Sequence, residues 1–537
     1  MKVTELACDY LVVGAGAASI AFIDTLLTKQ PLTKIILVDK NPCPGGHWVH
    51  AYGFVRLHQP SLLYGVASRQ LEGNWLKLML GKLTLPWHHR ASKDEILKYY
   101  DSFIQDKISA GQVQYFPNCQ YNFPGAEPTT THPASEREQI HSFSSLDGAR
   151  QCSVKVKNKL INGILGECII PSLNPVDFPV DQDIQMLTPN QIFDCHHQKT
   201  LPNYGEKHFV VLGCGKTAMD TVVYLQQSMK VKPSQISWVI PNDVWMLARE
   251  GSANPWAWPK ALLKSDHNAR EAGLALERAG GFVRLDPNIE PTRFRFPVVG
   301  RDEIKFMRKV EDIIRRGRVT AIRNQENRSV IVHFGENSQP WVPKESRPED
   351  LVFIHCTCPG PENGNSNFDL FASDHQLNLN LLFAPPVPIS MSVLAYLESA
   401  RINGTLDLSF GRQLLRSLEI DAVAEQGAGR DMKDLPENEV LGRLISGIGL
   451  NEDDKRDSFQ SILNLALFLA IANEDPMVGY QFLKENRLSF FSIPGFKGEV
   501  YETMGILLDR AKPLGYSDGE KRMFQLLRDR LQILEGK

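Results

Sequence analysis

Two short stretches of this chain have the residue types and spacing to hold a diphosphate against a helix end. Gly14-Ala15-Gly16-Ala17-Ala18-Ser19 and Gly213-Cys214-Gly215-Lys216-Thr217-Ala218 each place two glycines one residue apart and a small residue three positions on. The glycines permit a tight turn and a close approach of phosphate to backbone, and the small third residue lets helix and strand pack. At such a turn, unpaired helix N–H groups and the helix dipole meet the negative charge. Asp39 ends the next apolar run after the first turn, where a carboxylate can accept hydrogen bonds from ribose hydroxyls. After the second turn, Ile240-Pro241-Asn242-Asp243 offers Asp243 for a ribose, and Arg249 can pair with a 2′-phosphate. Each is more often a solvated loop charge, so the choice between NADH and NADPH stays open. Gly215-Lys216-Thr217 has the ending of a phosphate-transfer loop, but that motif needs glycine where Val210 stands.

Gly45-Gly46-His47-Trp48 follows Asp39 closely. A glycine pair lets a loop run close to a flat cofactor, with Trp48 packed beside it. His58, in Arg56-Leu57-His58-Gln59-Pro60, is a weak candidate for steering a proton, or else a structural histidine satisfied by backbone. The pair His88 and His89 reads as surface. There is no HExxH, no GxSxG and no CxxC, so no metal site is expected. Cys356 and Cys358, two apart on an expected strand, should point the same way and be buried as small apolar groups.

The elements that must position these residues can be read from periodicity. Tyr10–Val13, a helix through about Thr28 and Ile35–Val38 form one strand–turn–helix–strand unit. Phe209–Leu212, a helix through about Met229 and Ile236–Ile240 form the second. Such alternation indicates parallel βαβ units. Two polar stretches, Pro124–Arg150 and Gly335–Asp350, read as loops or boundaries. Leu351–His355 reads as a buried strand that can return to the first sheet. From about Ser409 the pattern turns helical, with a capping-box signature at Ser517 and Glu520 ahead of Met523, Leu526, Leu527, Leu531 and Leu534 on one face. That tail reads as a packing or interface module, or alternatively as a substrate lid.

Bulk properties narrow the class. The 537 residues exceed one core; they are 42% hydrophobic and 23% charged, with a formal net charge of −3. No basic stripe suggests nucleic acid. The apolar run Leu463–Ala472 is too short to span a bilayer. The first residues lack the apolar segment of a signal peptide, so a cytoplasmic protein is expected. Scattered cysteines argue against a secreted disulfide framework.

Taken together, GAGAAS, VDK, GGHW, GFVRLHQPSLLYGV, GCGKTAMD and LVFIHCT resemble the FAD- and NAD(P)-dependent oxidoreductases related to flavin-containing monooxygenases, and within them a microbial branch. The resemblance covers roughly residues 8 to 405. It implies an α/β fold of two Rossmann-like dinucleotide-binding domains: an FAD domain over 1–200 and 345–408, a NAD(P) domain over 201–344 inserted within it, and a helical module over 409–537. It implies that Gly14, Gly16, Ser19, Asp39 and Lys40 hold FAD, with Gly46, His47, Trp48, His58 and Gln59 on the flavin side. Gly213, Gly215, Lys216, Thr217, Ala218 and Arg249 would hold NADPH or NADH. Thr357, in His355-Cys356-Thr357-Cys358-Pro359-Gly360, would lie near FAD, with Cys358 where relatives carry alanine. Two departures stand out: Leu187–Asp194 lacks the FxGxxxHxxx(Y/F) signature of true monooxygenases, and Ser19 replaces the third glycine. The implied activity is hydride transfer from NAD(P)H to flavin, then monooxygenase-like chemistry with O2 on a small organic substrate. A reductase passing electrons to a quinone or a protein, and a non-catalytic nucleotide-binding scaffold, are the alternatives.

Overall fold

The computed structural model describes residues 3–534 apart from 62–63, 72–89, 123–138, 165–169, 202, 251–268, 327, 336–337, 346, 359–369, 372, 381, 383–386, 420–456 and 490–517. His88, His89 and Ser517 lie outside the described residues. The fold is mixed α/β.

The first sheet grows from β1 (Thr4–Val13), whose last four residues are buried, and the glycine turn that follows it leads into α1 (Ala17–Lys29). A right-handed return places β2 (Ile35–Val38) parallel to β1, with Val13 opposite Val38. α2 (Lys93–Ser109) leads to β3 (Val113–Phe116), parallel to β2. On the far side of β1 lies β4 (Gln151–Asn162), also parallel to it. Beyond β4 is Gln139–Ser145, antiparallel to it. The stretch Gln139–Ser145 of the expected loop Pro124–Arg150 is therefore a strand. Its composition is polar because it lies outside the parallel core of the sheet and buries only Phe143 deeply.

The second sheet contains β5 (Met186–Leu187), β6 (His208–Leu212), β7 (Ile236–Val239), β8 (Asp312–Ile314) and β9 (Leu351–His355), all parallel. Leu351–His355 thus corrects the sequence expectation: it pairs with β6, Leu212 opposite His355, and does not return to the first sheet. That return is made by Gln376–Asn378, which pairs with β4. A buried apolar pentapeptide fits either sheet equally well, and only the chain path decides. A smaller sheet of Val244–Ala248, Phe282–Val283 and Arg293–Val299 abuts the second one.

The helical tail is built as a layer on the first half. The core around α1 continues through Val387–Ile402 into the C-terminal helices, and includes Leu467, Phe468, Met523, Phe524, Leu527, Leu531 and Leu534. Met523, Leu527 and Leu531 are the buried face of the helix Asp518–Leu531, as the periodicity predicts. Arg487 fastens the tail further by donating to the carbonyls of Tyr64, Val66 and Arg69 at 2.6, 3.0 and 2.9 Å. No helix among the described residues is long and apolar enough to cross a membrane.

Candidate functional site: two cradles and the segment between them

Among the described residues, three helices begin with a side-chain cap, Pro476–Glu485 through Asp475 among them. α2 carries a full capping box between Ser92 and Glu95, and Pro189–Gln198 carries one between Thr188 and Gln191. The two helices after the glycine turns do not. α1 starts from Gly16 and α3 (here Lys216–Gln227) from Gly215, neither with a side-chain cap nor with an acidic residue in its first turn. Their first-turn N–H groups have no partner within the helix, and the dipole adds positive potential there. Both ends suit an anion.

In the first cradle, Gly14 adopts φ +92° and Gly46 φ +58°, values that favour glycine. The Gly45–Gly46 loop is drawn onto the turn by a hydrogen bond from the Gly45 amide to the Ala15 carbonyl at 2.8 Å. A Cβ on Gly46 would stand 2.9 Å from the Gly16 Cα. The two glycines are therefore needed for backbone to meet backbone. Ser19 is fully buried, and its hydroxyl has no hydrogen-bond partner. It points at Gly163, the residue after β4, where a Cβ would collide with it. Asp39 is buried at the end of β2, as the sequence reading places it, but its carboxylate closes the turn itself. One oxygen accepts from the Ala15 amide and the other from the Asn41 amide at 2.6 Å. Burial pushes this carboxyl above its usual range, against those hydrogen bonds. Lys40 is exposed. Trp48 is buried, donating from its indole to the Tyr64 hydroxyl at 2.7 Å, while His47 is exposed.

In the second cradle, Gly213 adopts φ +121°, and its carbonyl accepts from the Trp238 indole at 2.7 Å. A Cβ there would meet the Cys356 carbonyl oxygen at 3.1 Å and the Thr357 methyl at 3.2 Å. Thr357 thus lies beside the second glycine turn. Cys356 and Cys358 also differ from expectation: the strand stops at His355, leaving Cys356 buried and Cys358 exposed. Ala218 is fully buried and packs the helix. Lys216 does not reach toward the turn. Its ammonium pairs with Asp220 and, at 2.8 Å, with Glu303.

Glu303 is the residue that the sequence reading missed. It sits in the short helix Arg301–Met307 and accepts from Lys216, from Arg90 at 3.0 Å, from Arg249 at 2.6 Å and from the Gly300 amide at 2.7 Å. Burial alone would raise its pKa, but Lys216, Arg249 and Arg90 override that and hold the carboxyl well below the usual range. Arg249 is consequently buried in this pair, and its Nε donates to the His58 carbonyl at 2.8 Å. Asp243 is taken up by Arg315, at 2.8 and 3.3 Å. Neither is free in the way a lone ribose or phosphate reader would be. Nothing in the local pattern flags Glu303; its partners come from three distant segments.

The stretch Gly46–Gln59 spans the two cradles. It leaves the first at Gly46, and Tyr52 donates to Asp220 of the second helix at 2.8 Å. Phe54 stacks on Tyr224 with centroids 4.0 Å apart. His58 then lies by the hub that Glu303 forms with Lys216, Arg249 and Arg90, where burial and the Lys216 charge lower its pKa to about 3. Its imidazole is neutral at physiological pH. A cavity of about 420 Å³ adjoins the Glu303 helix, lined by Ala248, Phe282, Val299, Gly300, Arg301 and Ile304 among others.

No family model matches the chain. Uncharacterized proteins of Mycobacterium tuberculosis and Mycobacterium bovis are each 30% identical to it over 404 residues, 73% of this chain and 67% of the relative. The chain belongs to their family. Among solved structures, it is similar to an ornithine N-hydroxylase of Kutzneria sp. 744 at 12% identity and TM-score 0.41, covering 67% of this chain and 84% of that one. The cadaverine monooxygenase DfoA of Erwinia amylovora, bound to FAD, is 11% identical with TM-score 0.45 over 73% and 94%. The open form of cyclohexanone monooxygenase is 11% identical with TM-score 0.43 over 74% and 89%. Likeness at this level establishes no activity, and the functional reading rests on the cradles themselves.

Proposed function

We propose that this protein is an FAD-dependent oxidoreductase that takes hydride from NADPH or NADH and acts as a monooxygenase on a small organic substrate. The observation that carries this reading is the pair of uncapped helix ends, each entered through a positive-φ glycine on a parallel βαβ unit, in contrast to the side-chain caps of Lys93–Ser109, Pro189–Gln198 and Pro476–Glu485. A stranded buried hydroxyl at Ser19 and a backbone contact at Gly16–Gly46 that a Cβ would fill both fit a dinucleotide in the first cradle. The first-turn amides of Ala17–Lys29, beginning with the one after Gly16, would bind its diphosphate, with Asp39 bracing the turn through the Ala15 amide and Gly46–Trp48 alongside. The turn Gly213–Ala218 with Thr357 would bind the nicotinamide nucleotide. When bound, the flavin supplies the electron-transfer and oxygen chemistry. The protein's own share is to bind, orient and shield. His58, held neutral, can accept or donate a hydrogen bond without adding charge beside the hub.

The test is an absorption spectrum of the purified protein before and after anaerobic NADPH and NADH, followed by air with candidate organic substrates. The expected result is a bound flavin bleached by one coenzyme, with oxygenated product on re-aeration. A colourless protein, or a flavin neither coenzyme bleaches, sinks the reading. Bleaching with turnover only on an added quinone assigns a reductase in place of a monooxygenase.

A further inference from the structure

We propose that Tyr52 and Glu303 are positioning residues that make nucleotide binding in the second cradle depend on occupancy of the first. The inference rests on both cradles being nucleotide sites.

The first turn of Lys216–Gln227 is the part that must present free amides to a diphosphate, and it is held from outside. Lys216 is pinned by Glu303, and Asp220 by the Tyr52 hydroxyl. Tyr52 is buried, and burial together with the Asp220 charge keeps its phenol protonated as a donor. It lies six residues beyond Gly46, whose backbone touches Gly16 in the first cradle. The stretch between is short and closely fitted. Gly53 runs so near Phe193 that a Cβ would sit 2.3 Å from the ring, and Phe54 stacks on Tyr224 of the same helix. Farther along, the His58 carbonyl holds Arg249, which returns to Glu303. Arg90, from the first half of the chain, completes the ring on the same carboxylate. The bridging segment thus contacts the first cradle at its start and, thereafter, the second cradle's helix at Asp220 and Tyr224 and its brace at Arg249. A ligand that orders the Gly45–Gly46 loop also orders Tyr52 and the His58 carbonyl. Coupling of this kind must be reciprocal.

The experiment compares flavin-free and FAD-loaded protein. NADP+ is titrated into each by calorimetry, and FAD into flavin-free protein with and without saturating NADP+. In the wild type, FAD should tighten NADP+ binding at least about fivefold, and NADP+ should tighten FAD binding by the same factor. Tyr52→Phe keeps the ring and removes the hydroxyl; it should bring the factor to about one while leaving FAD affinity alone unchanged. Glu303→Gln should lower the factor as well, and Gly53→Ala supplies a third variant should either fail to fold. A merely structural role would shift the melting temperature or both affinities while preserving the factor. The proposal is overturned by a factor of one in the wild type, or by an undiminished factor in both Tyr52→Phe and Glu303→Gln. If both nucleotides bind independently, the two-cradle reading stands and the coupling fails. If FAD does not bind at all, both fall.

Discussion

The two cradles share a plan but differ in what braces them. In the first, backbone braces backbone: Gly46 lies on Gly16, and the Asp39 carboxylate grips the Ala15 amide. In the second, a Cβ on Gly215 would meet only open space, and bracing comes from side chains, chiefly the Lys216–Glu303–Arg249–Arg90 cluster. A backbone vise has few alternative arrangements. A cluster of long side chains can re-form after each exchange of partners. The difference suits a first ligand that stays and a second that comes and goes.

The largest effect should come from removing the second cradle's brace. Glu303→Ala leaves the buried cations Lys216 and Arg249, and the half-buried Arg90, without their shared partner, and breaking such a cluster typically costs about 3–5 kcal/mol. Chemical denaturation should show that loss. The pH dependence sharpens it. The carboxyl of Glu303 has a folded pKa below its unfolded value of about 4.3, so its stabilisation is complete above that pH and fades as acid brings the pH below it. Glu303→Gln should flatten the stability curve in that acidic window. His58 acts over a different range. Its folded pKa of about 3 lies below the unfolded value near 6.5, so the unfolded chain binds more protons between them and stability falls as pH drops through that interval. His58→Gln should remove that slope and leave the region above pH 7 unchanged.

Gly46→Ala attacks the first cradle. The backbone there has φ +58°, which costs a non-glycine residue about 1–2 kcal/mol, and the new Cβ meets the Gly16 backbone, which cannot move aside cheaply. FAD affinity should fall by about thirtyfold, read as flavin absorbance per protein. Gly213→Ala is the matching change in the second cradle. Its φ of +121° also disfavours a side chain, while its Cβ would meet the Cys356 carbonyl and the Thr357 methyl less tightly, at 3.1 and 3.2 Å. NADP+ affinity should drop by about tenfold with flavin content preserved. Equal losses of both nucleotides in both variants would erase the distinction between the cradles.

The sequence exposed the cradles because their requirements are local: two glycines, a small residue and an acid on the next strand all lie within one unit. The buried face of Asp518–Leu531 was legible for the same reason, through its helical period. Leu351–His355 was assignable to a strand but not to a sheet, since five apolar residues say nothing about which neighbour they hydrogen-bond. Gln139–Ser145 was hidden by its polar composition. Glu303 was invisible: its partners Arg90, Lys216 and Arg249 lie 213, 87 and 54 residues away, and an acid in a short helix carries no sign of them. Ser19 was legible as a departure, whereas its neighbour Gly163 was not.

Ser19 gives the smallest effect and the finest test of the first cradle. Its hydroxyl is buried without a partner and aimed at Gly163, which stands against Gly14. An unsatisfied buried hydroxyl is a net cost in the folded chain, so Ser19→Ala in flavin-free protein should leave stability unchanged or raise it by up to about 1 kcal/mol. In the FAD-loaded protein the sign should reverse. If the bound diphosphate supplies the missing partner, alanine loses one hydrogen bond to a charged group, worth about 1.5–3 kcal/mol. FAD affinity should then fall by at least about tenfold. A gain in the empty protein with no loss in the loaded one would show that the hydroxyl faces only the protein, and that the third position of this turn is filled by serine for its size alone.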